Sequence, residues 1–302
     1  MKIEGKQLKG IAFMIMRELT DNQSRIFIDT SQLYESFRDV YRKKLSYRGG
    51  MHWKKSKNKE YLFKTVDRYG NGNGLGLKTE KTEKIYHHFH SNKKQISERF
   101  KQLKIRLKEQ ARFCKAAKIQ RVPRVVTSIL RELDQRNILG NHLMVIGTNA
   151  LYAYEAAAGL FFDQKITATQ DMDILWDVRS KLTLAIDNKS EPENFIDILR
   201  KVDKSFDILG KQKYRVANNN GYMVDLLKTV PPNIFAKERD QIGDEDDLVA
   251  IEVMNLSWLL SAPKFSQIVI GDDGYPARMV APDPRAFALH KFWVSQQPDR
   301  DP

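Results

Sequence analysis

Two aspartates stand two residues apart in Thr-Ala-Thr-Gln-Asp-Met-Asp-Ile-Leu-Trp-Asp, at Asp171 and Asp173, and a third, Asp225, is embedded in Tyr-Met-Val-Asp-Leu-Leu. Alternate positions in a strand put the first two carboxylates on one face of a sheet. Acids inside otherwise buried strands are costly unless paired, protonated or bound to a cation, and three of them point to a metal. Hard divalent ions such as Mg²⁺ prefer carboxylate and phosphate oxygens. Two such ions about 4 Å apart activate an attacking hydroxyl while neutralising a leaving pyrophosphate. The chemistry this suggests is phosphoryl or nucleotidyl transfer. Asp207, in Ser-Phe-Asp-Ile-Leu-Gly, also lies in a strand-like run and competes with Asp225 for the third position; the stronger apolar flanks favour Asp225.

A phosphate-binding turn is readable upstream. The run from His142 to Gly159 reads as a buried strand over 143–146, a tight turn at Gly147-Thr148 and an alanine-rich helix. Such a turn presents backbone N–H groups and a hydroxyl at a helix N-terminus, where anions are stabilised. A lone Asp-x-Asp is weak in a chain with 38 acidic residues. The order strand, Gly-Thr, helix, Asp-x-Asp strand, Asp strand is far more specific.

This order resembles the active-site pattern of the DNA polymerase β-like nucleotidyltransferase superfamily. GTNALYAYEAAAG with TATQDMDIL resembles its bacterial minimal-nucleotidyltransferase branch, to which the abortive-infection-type toxin nucleotidyltransferases are related. The resemblance covers roughly residues 121–302 and implies an α+β fold with a mixed sheet flanked by helices. It implies that Gly147-Thr148 holds the triphosphate of an NTP, that Asp171 and Asp173 bind both Mg²⁺ (or Mn²⁺) ions, and that Asp225 binds the catalytic ion and helps to activate the acceptor hydroxyl. Thr148 stands where serine is common and keeps the hydroxyl. The run PDPRAFALHKFWVSQQPDRDP resembles the branch's C-terminal helix, in which a lysine faces the nucleotide phosphates; Lys291 is the candidate, against an ordinary helix-surface lysine. In similar proteins the stretch ending at Pro302 leads into more helix, and whether this chain does so is open. An antitoxin or other protein partner is open at the family level.

The elements that must position these residues divide unevenly by charge. The chain of 302 residues is 41% hydrophobic, enough for a large core, and carries a net charge of +13. Residues 1–120 hold 29 Lys+Arg against 12 Asp+Glu (+17), leaving −4 for residues 121–302. The reading is a basic, mainly helical domain with a β-hairpin over 1–120, and a transferase domain with a C-terminal helical region over 121–302. One cysteine, Cys114, excludes a disulfide framework and a cysteine zinc knuckle and fits a reducing cytoplasm. The apolar run Ile11 to Met16 is too short for an export signal. Leu143 to Phe162, interrupted by Thr148, Asn149 and Glu155, reads as buried core and not as a membrane span.

Within the basic part, a short buried helix is expected over Leu8 to Leu19, and a second opened by Asp29 with Gln32 and ending near Tyr47. His52 to Val66 predicts a hairpin turning at Ser56 to Lys59 and carrying Lys54, Lys55, Lys57, Lys59 and Lys64. Gly70, Gly72, Gly74 and Gly76 predict a flexible loop, since strict alternation is not a dinucleotide fingerprint. Thr79 opens a helix, and Lys93 to Lys118 forms a long amphipathic one with ten basic and two acidic residues. Hairpin and helix together favour nucleic-acid contact, with a tRNA-like RNA as acceptor. Trp53, Tyr61, Phe63 and Tyr69 either stack on bases or form the hairpin's own core. Pro123 starts a helix that Gly140 closes. His87, His88 and His90 read as an exposed helix face, and Asp244 to Asp247 as a solvated loop. Transfer to a protein or small molecule, or an inactive nucleic-acid-binding module, are the alternatives. Phosphate-loop, zincin and nucleophile-elbow motifs are absent from the sequence.

Overall fold

The computed structural model describes residues 16–67, 69–179, 193–210, 212–231 and 240–297. It opens with strand β1 (Met16–Glu18), paired antiparallel with residues 160–162. This corrects the helix expected over Leu8 to Leu19: backbone pairing with a distant segment overrides local propensity, and residues 8–15 lie outside the described part. Helix α1 (Asp21–Ser46) starts earlier than Asp29, because Thr20 and Gln23 form a reciprocal capping box; Asp29 is helix interior. It ends, as expected, just before Tyr47.

Strands β2 (Gly50–Ser56) and β3 (Lys59–Thr65) form the expected hairpin, with Lys57 and Asn58 both at positive φ, as a twist-matched two-residue turn requires. Gly72, Gly74 and Gly76 lie in a third strand, β4 (Gly72–Leu77), and not in a loop, while Gly70 precedes it. The open edge of β3 recruits it, and a Cβ at Gly72 would collide with the Lys64 carbonyl, so glycine here permits close pairing. Helix α2 (Glu80–Ala116), capped by Thr79, runs unbroken through Lys93, joining the two helical segments that the sequence suggests separately. It packs antiparallel on α1: Thr30 meets Gln110 and Cys114, while Phe37 stacks on Phe100 at 5.0 Å.

The second half begins with α3 (Arg124–Gln135), which stops at an Arg136 cap, short of Gly140. Ile138 and Leu139 leave the helix to fill the core, and Gly140, at φ +85°, turns the chain into β5 (Leu143–Ile146). Then follow α4 (Leu151–Ala158), β6 (Leu160–Phe162), β7 (Asp171–Trp176), α5 (Phe195–Val202), β8 (Asp207–Ile208), β9 (Arg215–Ala217), β10 (Met223–Thr229), β11 (Ile251–Val253), β12 (Lys264–Ile270), β13 (Pro276–Pro282) and α6 (Pro284–Ser295). One sheet runs β5-β7-β10-β9-β8, with β11 beside the far end of β10. The β7–β10 and β10–β11 pairs are parallel and the others antiparallel, so this is the mixed sheet of an α+β fold. Its fully buried Val145, Met172, Ile174, Val224 and Leu226 pack with α3 and α5 in one core.

Asp247 departs from the solvated loop expected for its acidic run. It is buried and accepts the N–H groups of Gly243, Phe195, Ile196 and Leu248, so it caps α5 from another segment. The two halves of the chain are joined by buried ion pairs. Arg38 on α1 reaches Asp134 on α3 through Nε (2.5 Å) and Nη2 (3.0 Å), and Arg278 donates to the same carboxylate at 2.8 Å. Removing one partner of such a pair typically costs about 3–5 kcal/mol, because a buried charge is left behind. Among the described residues, no helix is long and apolar enough to cross a membrane.

Candidate active site

Strand register brings the acids together. Parallel pairing sets Asp225 of β10 directly beside Asp173 of β7, and antiparallel pairing sets Ile146, the last residue of β5, on the other side of Asp173. Asp171 shares the face of Asp173, since Met172 and Ile174 between and beyond them point into the core. The turn after β5 therefore arrives at the carboxylates. Gly147, at φ +65°, lies so close that a Cβ built on it would fall within bonding range of Asp173 Oδ2. Any larger residue there would strain the backbone and push the Asp173 carboxylate aside. Thr148–Ala150 form one turn of 3₁₀-helix leading into α4, and the first N–H groups of such a turn have no partner within the helix.

Polar contacts hold Asp171 in place. Asn149, 1% exposed, donates from Nδ2 to the Asp171 carbonyl at 2.6 Å, and the Tyr222 hydroxyl donates to the same carbonyl at 3.3 Å. The Thr169 hydroxyl donates to the Asp171 carboxylate. Burial first, then the charges of Asp171 and Asp225, push the Asp173 carboxyl up to about 6, while Lys291 and Arg215 pull it back. Lys291 on α6 thus lies within electrostatic reach of Asp173. Burial likewise raises the Tyr222 phenol, so it stays a neutral hydrogen-bond donor.

Asp225 is 5% exposed, and both its oxygens are taken by its cross-strand neighbour Arg215, at 2.6 Å from Nε and 2.5 Å from Nη2. That pairing raises the Arg215 guanidinium further. Among the described residues no group of three carboxylate, imidazole or thiolate side chains is gathered tightly enough to hold an ion. Asp207 lies at the far edge of the sheet, with its side chain 81% exposed and paired with Arg200, so the structure sets Asp225 and not Asp207 beside the Asp-x-Asp pair.

Three residues of this neighbourhood escape a reading by motif. Asn149 leaves one trace, as a polar residue inside an apolar Gly-Thr-Asn-Ala-Leu run. Arg215 and Tyr222 leave none, because cross-strand register alone brings them in. Elsewhere, His90 hydrogen-bonds the Met51 carbonyl at 2.9 Å and His88 meets Asn92 at 2.8 Å on an exposed helix face. The hairpin aromatics divide: Trp53 packs against the buried Met51, Leu62 and Phe89, whereas Tyr69 is exposed, and Lys54 lies 3.7 Å from the centroid of Phe63.

No curated protein and no solved structure gives a significant match to this chain. Residues 124–302 match the sequence model of a nucleotidyltransferase family, a span that contains the Gly147 turn, β7, β10 and α6. The chain belongs to this nucleotidyltransferase family and is a transferase.

Proposed function

We propose that the chain transfers a nucleoside monophosphate from an NTP to an RNA acceptor of tRNA-like kind, with residues 121–302 performing the transfer and residues 1–120 holding the acceptor. The observation that carries this reading is the register that places Asp173 between Asp225 and the Gly147 turn. The donor set suits a hard divalent ion. Asp171 and Asp173 present oxygens on one face, and the Asp173 carboxyl is raised first by burial and then by the charges of Asp171 and Asp225, which a bound cation would offset. Asp225 joins them once Arg215 releases one of its oxygens. When bound, Mg²⁺ or Mn²⁺ would neutralise the triphosphate and the departing pyrophosphate.

The chain's own groups do the rest. The N–H groups and hydroxyl at Gly147-Thr148 hold the triphosphate, and Lys291 adds positive charge near it. Asn149 and Tyr222 fix the backbone of Asp171, which sets the height of both carboxylates. Asp225 orients the acceptor hydroxyl and helps to remove its proton as the oxygen attacks the α-phosphorus and the bond to pyrophosphate breaks. The hairpin lysines and the basic face of α2 follow the acceptor's phosphates. Replacing them reduces the salt dependence of binding, by about 0.7–0.9 in log–log slope for each phosphate no longer neutralised.

The test is incubation of the protein with Mg²⁺ or Mn²⁺, each α-labelled NTP in turn and total cellular RNA, beside Asp171→Asn and Asp173→Asn variants. Label on RNA that both variants lose supports the proposal and names the nucleotide. Label on protein replaces RNA by a protein acceptor, and label that persists in the variants overturns the assigned site.

A further inference from the structure

A cavity of about 140 Å³ lies where α1 and α2 meet α3 and the β12–β13 turn, apart from the carboxylate cluster. Its walls are aromatic and aliphatic: Tyr34, Phe37 and Tyr41 from α1, Leu107 from α2 and Tyr275 from the turn. An apolar protein cavity of about 150 Å³ is the size that takes one benzene ring. The mouth is cationic, with Arg42 and Lys104 exposed there. Neither has a carboxylate partner among the described residues.

One polar group is available to an occupant. The Tyr34 hydroxyl lines the cavity and makes no hydrogen bond to another described residue, which leaves it free to bond water or a guest there. The acid at this junction, Asp134, does not repel an incoming anion, since Arg38 and Arg278 already engage both its oxygens. Arg131, also on the wall, approaches Asp273 only to 3.4 Å.

We infer that this cavity binds one nucleotide unit with a single-ring base, the base lying among Tyr34, Phe37, Tyr41 and Tyr275, its polar edge meeting the Tyr34 hydroxyl, and its phosphate resting on Arg42 and Lys104. Volume sets the ring count, aromatic walls supply stacking, and the unpartnered cations match the phosphate. The same unit is available from a free pyrimidine nucleotide or from an unpaired residue of an RNA. The inference stands on the cavity's own lining and is independent of the transfer reading.

The experiment is calorimetric titration of the full chain, in EDTA, with UMP, CMP, AMP and a short oligouridylate. Monophosphates without divalent ions keep the carboxylate cluster out of the measurement, and an Asp173→Asn background checks that. Saturable UMP or CMP binding is expected to survive Asp173→Asn. It should weaken about threefold to tenfold in Tyr34→Phe, the loss of one hydrogen bond. In Arg42→Ala/Lys104→Ala it should weaken about tenfold or more and lose its salt dependence. Tyr34→Phe removes a hydroxyl that has no partner among the described residues, so the fold is kept. Oligouridylate binding more tightly than UMP, with the same losses, identifies an RNA residue as the source; equal affinities identify the free nucleotide. Absence of saturable binding at millimolar nucleotide, or binding that both sets of variants leave unchanged, overturns the inference. AMP binding as tightly as UMP overturns the single-ring assignment.

Discussion

Asp173→Asn should make the metal-free protein more stable while abolishing transfer. The Asp173 carboxyl rises from an ordinary 3.8 to about 6, through burial and through the charges of Asp171 and Asp225. A raised folded-state value means that the folded protein binds this proton more tightly than the unfolded chain does. Stability is therefore unaffected below about pH 4, falls as pH rises from about 4 to 6, and carries the whole penalty above that. Two pKa units correspond to about 3 kcal/mol, and the partial exposure of the site trims this to about 2–3 kcal/mol. Asparagine keeps the shape and removes the charge. In urea unfolding with EDTA at pH 7.5, Asp173→Asn should exceed the wild type by that margin, and the two should converge near pH 4. Adding Mg²⁺ should stabilise the wild type and leave the variant unchanged, as mass action requires of a ligand bound only by the native site. A variant equal to or weaker than the wild type at pH 7.5 in EDTA would refute the idea that the buried charge of Asp173 costs stability.

Gly147→Ala should cost about 1–3 kcal/mol from the backbone alone, because φ +65° with ψ −157° is a region open essentially to glycine. It must also push Asp173 aside, so NTP transfer should fall by orders of magnitude in a protein whose circular dichroism is unchanged; near-normal transfer would dissociate the turn from the site. Arg215→Met strands a buried Asp225 and should destabilise the protein in EDTA by about 3 kcal/mol. Because the guanidinium no longer competes, Mn²⁺ binding followed by paramagnetic resonance should tighten, and weaker Mn²⁺ binding would count against Arg215 as a displaceable counter-ion. Asp247→Ala leaves three buried N–H groups and the half-buried one of Gly243 without an acceptor and should cost about 3 kcal/mol, read as a lower urea midpoint; a shift below about 1 kcal/mol would mean that water replaces the carboxylate.

The parts of the site that local order controls are legible in the sequence. The strand, turn and helix from Leu143 to Ala158 and the alternating acids of β7 need only short-range patterning, and Asp225 stands out because an acid amid Val and Leu is expensive. The illegible parts depend on register between distant strands. Arg215 reaches Asp225 only because β9 and β10 pair as they do, and Asp247 caps α5 from about 50 residues away in sequence. Local propensity misleads twice where pairing decides: glycines join a sheet as β4, and Met16–Glu18 extends against β6 where a helix is expected. The start of α1 is ambiguous for a different reason. Asp29 with Gln32 has the composition of a cap, but the Thr20–Gln23 box is the one that satisfies the orphan N–H groups.

The carboxylate of Asp134, shared by Arg38 and Arg278, has a consequence for cooperativity. It ties three segments that lie about 100 and 140 residues apart in the chain. Around it, Tyr34, Leu107 and Cys114 from the basic half share one apolar cluster with Phe161, Ile268 and Ile270 from the other. A polypeptide starting after residue 120 would lose Arg38 and expose that cluster, so the transferase half borrows part of its folding free energy from the helices that carry the positive charge. Sequence drift in those helices is thereby restrained on their inner faces by the stability of the neighbouring sheet, while their outer faces are under no such restraint.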